Sequence, residues 1–104
     1  MSIEDTQTVD AIGTESDGTV VLTISDHLEW NDEHFYLLQE KINSYLSFVE
    51  SGEIYETYAT AKDSDIKINL VCKYQPTTEG ASFLSKCTQI ITQAGFKFGY
   101  ETVI

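Results

Sequence analysis

The sequence predicts an α+β fold: a two-layer sandwich with a four-stranded mixed sheet, elements in the order ββαβαβ, and two helices on one face. Three observations carry this prediction. Residues 19–25 (TVVLTIS) and 66–74 (IKINLVCKY) alternate apolar and polar side chains, the period of a strand buried on one face. Residues 35–49 repeat apolar side chains at three- and four-residue spacing, the period of a helix. Each alternating run keeps one polar face, so helices cover only one side of the sheet.

The elements follow in order. Residues 1–7 read as a disordered start. Residues 8–14 (TVDAIGT) form a short, weakly patterned strand, and Asp17-Gly18 supplies a hairpin turn into residues 19–25. The spacing of Phe35, Leu38, Ile42, Tyr45, Leu46 and Val49 predicts a helix over 32–51. Asn31 caps it, Asp32 and Glu33 suit the positive end of its dipole, and Gly52 stops it. Trp30 and Phe35 stand at the positions of a hydrophobic staple. Residues 53–65 show no period and read as a long connection carrying Tyr55 and Tyr58. In the strand over 66–74, Ile66, Ile68, Leu70, Cys72 and Tyr74 face inward. Pro76 ends it. A second helix starts at Thr77 or Thr78, has Leu84, Cys87, Ile91 and Ala94 as its apolar stripe, and stops at Gly95. Residues 96–103 return to period two, with Phe96, Phe98 and Tyr100 inward. This last strand runs parallel to the third. The direction of the third relative to the hairpin stays open.

At 104 residues this is one domain, with 41% hydrophobic and 12% aromatic side chains to build a core. Six Lys and no Arg stand against 17 Asp plus Glu, a net charge of -11. Ten of those acids precede Lys41, the first base, so residues 1–40 carry -10 and the rest -1. Such a surface repels nucleic acid and anionic membranes, and no apolar run reaches the roughly 20 residues of a membrane span. The opening MSIEDTQTVD lacks the pattern of an export signal, so a cytoplasmic protein is expected.

The densest polar cluster is SDHLEWNDEH, residues 25–34, at a strand-to-helix turn. Its members Asp26, Glu29, Trp30, Asp32 and Glu33 are the expected contact residues for a basic protein partner. Tyr55 and Tyr58 make a second, since tyrosine gives large contact area at low entropy cost. His27 and His34 are weak metal-ligand candidates, because seven-residue spacing across a turn is no recognised ligand pattern. Cys72 and Cys87 lie on inward faces and read as free core thiols. No phosphate-cradling, dinucleotide or nucleophile-elbow motif is present, so no catalytic residue and no cofactor is expected.

The runs VDAIG (9–13), VVLTISDHLEW (20–30) and LLQEKINSYL (37–46) make the sequence resemble a bacterial family of small, acidic, uncharacterised single-domain proteins, described only as a domain of unknown function. The likeness continues through SGEIYETY (51–58) and IKINLVCKY (66–74), most of the chain. The resemblance implies a bacterial, cytoplasmic protein. It supplies no activity and no catalytic residues, and associates small acidic proteins of this kind with immunity-type roles beside secreted toxins.

Three readings of function follow. The first is a non-catalytic binding module, or inhibitor, for a basic protein. The second is a metal- or ligand-binding protein or enzyme using the 26–34 turn. The third is a homodimer pairing through the open sheet face, with Val21, Thr23, Asn69, Val71, Lys73, Gly99 and Val103, or through an edge strand.

Overall fold

The computed structural model describes residues 3–6, 8–59 and 64–103. Seven elements follow one another: β1 (Ala11–Thr14), β2 (Val20–Asp26), α1 (Asp32–Glu50), α2 (Glu53–Thr57), β3 (Ile66–Cys72), α3 (Thr78–Gln93) and β4 (Lys97–Thr102). The four strands form one open mixed sheet in the order β1-β2-β3-β4. This is the expected ββαβαβ α+β fold, with a third helix where a connection was expected. β1 and β2 are antiparallel, and β2, β3 and β4 are parallel. The direction left open by the sequence is thus decided: the α1–α2 segment is a crossover, as α3 is between β3 and β4.

Alternation does what the pattern requires. Val20, Leu22 and Ile24 of β2 and Ile66, Ile68, Leu70 and Cys72 of β3 are buried, and they share one core with Leu38, Ile42, Tyr45, Leu46 and Val49 of α1 and Leu84, Cys87 and Ile91 of α3. Each fully buried aliphatic side chain of this kind contributes about 1.5–3 kcal/mol. The hairpin turns at Asp17-Gly18, where Gly18 takes a φ of 91° and Thr19 N–H donates to Asp17 Oδ1 at 2.9 Å. That bond holds the Asp17 carboxyl below its usual range.

Both helices start where capping residues stand. Asn31 Oδ1 accepts from His34 N–H at 3.0 Å, and Thr77 Oγ1 from Gly80 N–H at 3.0 Å. The staple also forms, with the Trp30 and Phe35 rings 5.9 Å apart. Gly52 and Gly95, at φ of 84° and 96°, take the left-handed positions after α1 and α3.

Several expectations are corrected. Residues 53–57 form a helix that turns Ile54 into the core, a single apolar anchor too short to show a period. Tyr74 is 39% exposed, because β3 ends two residues before it and the alternation no longer applies. Ala94 is exposed at the cap of α3, and Tyr100 is 47% exposed because β4 is the edge strand of the sheet among the described residues. Lys73 and Val103 follow their strands and are not part of the open face.

Ile3 departs from the expected disordered start: it is fully buried, and its N–H donates to the Ser25 carbonyl at 2.9 Å. Met1, Ser2 and Gln7 of that stretch lie outside the described residues, as do residues 60–63 of the connection. β1 reaches only to Thr23 of β2, so Ser25 has no ladder partner on that side. Ile3 takes the Ser25 carbonyl, and Asp10 Oδ2 takes the Ser25 N–H at 2.9 Å. Residues 3–6 and 8–10 therefore act as a strap that completes the edge of β2.

Lys41 fastens this strap. Its fully buried ammonium donates to the Asp5 carbonyl at 2.6 Å, the Thr8 carbonyl at 2.5 Å and Asp10 Oδ1 at 2.8 Å. Tyr45 adds its hydroxyl, which accepts from Asp10 N–H at 2.8 Å and donates to the Thr23 carbonyl at 2.7 Å. Burial raises the pKa of that phenol.

Candidate functional site at the carboxyl ends of the strands

In open sheets with parallel strands, ligands favour the surface beyond the strands' carboxyl ends. Here that surface is built by the end of β2, the 27–31 turn, the start of α1 and the residues after β3. Asp26 closes β2 opposite Cys72 of β3, and its backbone carbonyl accepts from Lys73 N–H at 2.8 Å. The side chain turns inward, accepting from Leu28 N–H at 3.2 Å through Oδ1 and meeting His34 Nε2 at 2.5 Å through Oδ2.

The His34 ring is fully buried, one turn into α1. Its Nδ1 lies 3.0 Å from the Glu29 carbonyl, which can only accept, so Nδ1 carries a hydrogen. A proton must then lie between Nε2 and Asp26, or two lone pairs would face each other. Both ring nitrogens are thus engaged, and neither is free to ligate a metal or take a substrate proton. Trp30 closes the pair from one side, its ring centroid 4.1 Å from that of His34 and its Nε1–H donated to the Tyr74 carbonyl at 3.0 Å. Trp30 also lies against Gly80 of α3, where an added Cβ would come within 2.9 Å of the ring.

The sequence-predicted residues therefore divide. Asp26, 3% exposed, is no contact residue, because the pairing with His34 holds it inside. Trp30 is half-buried as a wedge between α1 and α3. Glu29, Asp32 and Glu33 are exposed. His27 is exposed and reaches Glu4 at 3.1 Å. Among the described residues, no three His, Cys, Asp or Glu side chains gather as a metal site would require.

Tyr55 and Tyr58 lie elsewhere. Tyr58 lids the hairpin, its hydroxyl 2.5 Å from Thr14 Oγ1, and Thr14 pairs with Val20 at the opposite end of β2. Tyr55 is 38% exposed on α2. The structure does not bring the tyrosines to the acidic turn. Cys72 and Cys87 are buried free thiols. Burial, with the negative Asp26 second, pushes Cys72 up to about 12, and burial pushes Cys87 up to about 11. Neither is a reactive thiolate at neutral pH.

What remains at this end is a polar depression of about 380 Å³ lined by Glu4, His27, Leu28, Glu29, Asn31, Glu33, His34 and Tyr74. Sequence reasoning missed Glu4 and Tyr74 here, because only the fold carries the strap and the end of β3 to the turn. A model of a family of unknown function, DUF6572, matches residues 1–103. The chain belongs to that family. No curated protein and no solved structure matches it. Among the described residues, no helix of this DUF6572 member is long and apolar enough to cross a membrane.

Proposed function

We propose that this protein is a non-catalytic binding module that takes a basic group of a protein partner at the carboxyl-end depression. One observation carries the reading: Glu4, Glu29 and Glu33 rim a concave surface whose floor is fixed by the buried Asp26–His34 pair. The carboxylates come from three segments, the strap, the turn and α1, so their spacing is set by tertiary structure. Such a preorganised acidic rim suits a lysine or arginine side chain. Asp32, beside it in the first turn of α1, adds to the field that steers a basic partner in.

The reading is tested by capture from a cell lysate at low and high salt, comparing the tagged protein with a Glu4→Gln, Glu29→Gln, Asp32→Asn, Glu33→Gln variant. A basic protein retained by the unmodified chain, lost at high salt and absent from the variant supports it. Equal retention by both chains overturns it. An inhibitor of a basic enzyme, the immunity-type role, is the narrower form of this proposal.

A further inference from the structure

We infer that β4 pairs, antiparallel, with the β4 of a second copy of this chain, about a two-fold axis at Gly99. β4 is an edge of the sheet. Cys72 is opposite Thr102, and Val103 N–H donates to the Cys72 carbonyl at 2.8 Å. In a parallel ladder that alternation turns the backbone groups of residues 97, 99, 101 and 103 toward β3, and those of Phe98, Tyr100 and Thr102 outward. Outward N–H and C=O groups are a template for another strand. β4 lacks several of the features that usually blunt such an edge, and the charged side chains it carries, Lys97 and Glu101, bear opposite signs. It is six residues long, contains no proline, and keeps an unbroken register with β3 from Lys67–Lys97 to Cys72–Thr102. β1, the other edge, has four residues and is followed by the hairpin turn.

The charge pattern of β4 selects both occupant and register. When β4 pairs with itself, outward residues must lie opposite outward residues, which allows only registers that differ by two. With Gly99 opposite Gly99, Lys97 of each copy faces Glu101 of the other on the open face, and Phe98 faces Tyr100 on the helix side. Phe98 and Tyr100 then exchange both backbone hydrogen bonds, twice by symmetry, giving four. The neighbouring registers put Lys97 opposite Gly99 or opposite Val103. The next ones put Lys97 opposite Lys97, or Glu101 opposite Glu101. Only the Gly99-centred register sets unlike charges across from one another and pairs two aromatic rings, the arrangements that stabilise antiparallel ladders.

The surroundings permit this contact despite the charge of -11. Lys67, Lys73 and Lys97, half of the six lysines, lie on or just beyond β3 and β4, so this side of the sheet carries positive charge. Lys97 pairs with Asp65 at 3.4 Å, and both side chains are more than half exposed, so it is available to a partner at little loss. The ring of Tyr100, 47% exposed at this edge, would be covered.

The test is sedimentation over a range of concentrations at low salt, with circular dichroism to confirm folding. The unmodified chain is expected to form a dimer. Lys97→Glu and Glu101→Lys, each alone, place like charges opposite one another at both pairs and should weaken self-association about tenfold or more. An equal mixture of the two variants should regain the dimer, because every Glu of one then faces a Lys of the other. The double variant Lys97→Glu/Glu101→Lys should dimerise as the unmodified chain does. A monomer at all concentrations overturns the inference. So does a dimer that both single variants leave unchanged, or a mixture of folded variants that fails to associate.

Discussion

Replacing Lys41 by Met should destabilise the protein by about 3–5 kcal/mol, the usual loss when one partner of a buried charge pair is removed. The figure follows from the surroundings of the ammonium. The Lys41 side chain is fully buried and that of Asp10 is 2% exposed, so neither gains from bulk water. Met fills the space of the lysine stem, so the change removes charge and hydrogen bonds with little cavity. Asp10 keeps the Ser25 N–H but loses its cation, and the Asp5 and Thr8 carbonyls lose a donor. A domain of this size has about 5–15 kcal/mol of stability in all, so the variant should unfold at a much lower urea concentration. Asp10→Asn should also destabilise, and the double variant should lose less than the sum of the two by about 1–3 kcal/mol. Urea unfolding followed by circular dichroism measures all three. A Lys41→Met loss under about 1 kcal/mol, or additive effects, would refute the claim that this pair holds the strap.

Four further outcomes are expected. A thiolate-directed reagent at pH 8 should label neither Cys72 nor Cys87 until urea unfolds the chain, as a thiol assay will show. Because both folded pKa values, about 12 and about 11, lie above the ordinary 9.0, their contribution to stability is complete below pH 9.0 and is lost as pH rises through 11 to 12. The thermal midpoint should therefore fall from pH 9.0 upward, and Asp26→Asn should make Cys72 titrate at lower pH by removing the neighbouring negative charge. Gly80→Ala should cost about 1–3 kcal/mol by thermal unfolding, since its methyl meets a Trp30 ring wedged between two helices.

The fold was largely legible because its signals are local. Alternation at 19–25 and 66–74, the helical period at 35–49, and the caps at Asn31 and Thr77 each depend on neighbours in sequence. What escaped was polar. His34 and Lys41 belong to the same stripe as Leu38 and Tyr45, at spacings of four and three, and that periodicity was available to find them. A charged residue on an apolar stripe is usually taken as an interruption, because burying it requires a partner the stripe does not reveal. Here the partners, Asp26 and Asp10, lie 8 and 31 residues away. The same pairing misassigned Asp26: composition makes it one more surface acid, and only the fold turns it inward. Two of the ten acids that precede Lys41 are thus interior or nearly so, each facing a proton or an ammonium.

The strap has a consequence for motion. Ser25 lies beyond the reach of β1, and its amide hydrogen is covered on that side only while Asp10 stays in place. Lifting the strap would release that amide and bring the Lys41 ammonium into water, while the ladder between β2 and β3 stayed closed. Hydrogen exchange at Ser25 should therefore follow a partial opening, at a lower free energy than the amides of β3, which exchange only when the sheet comes apart.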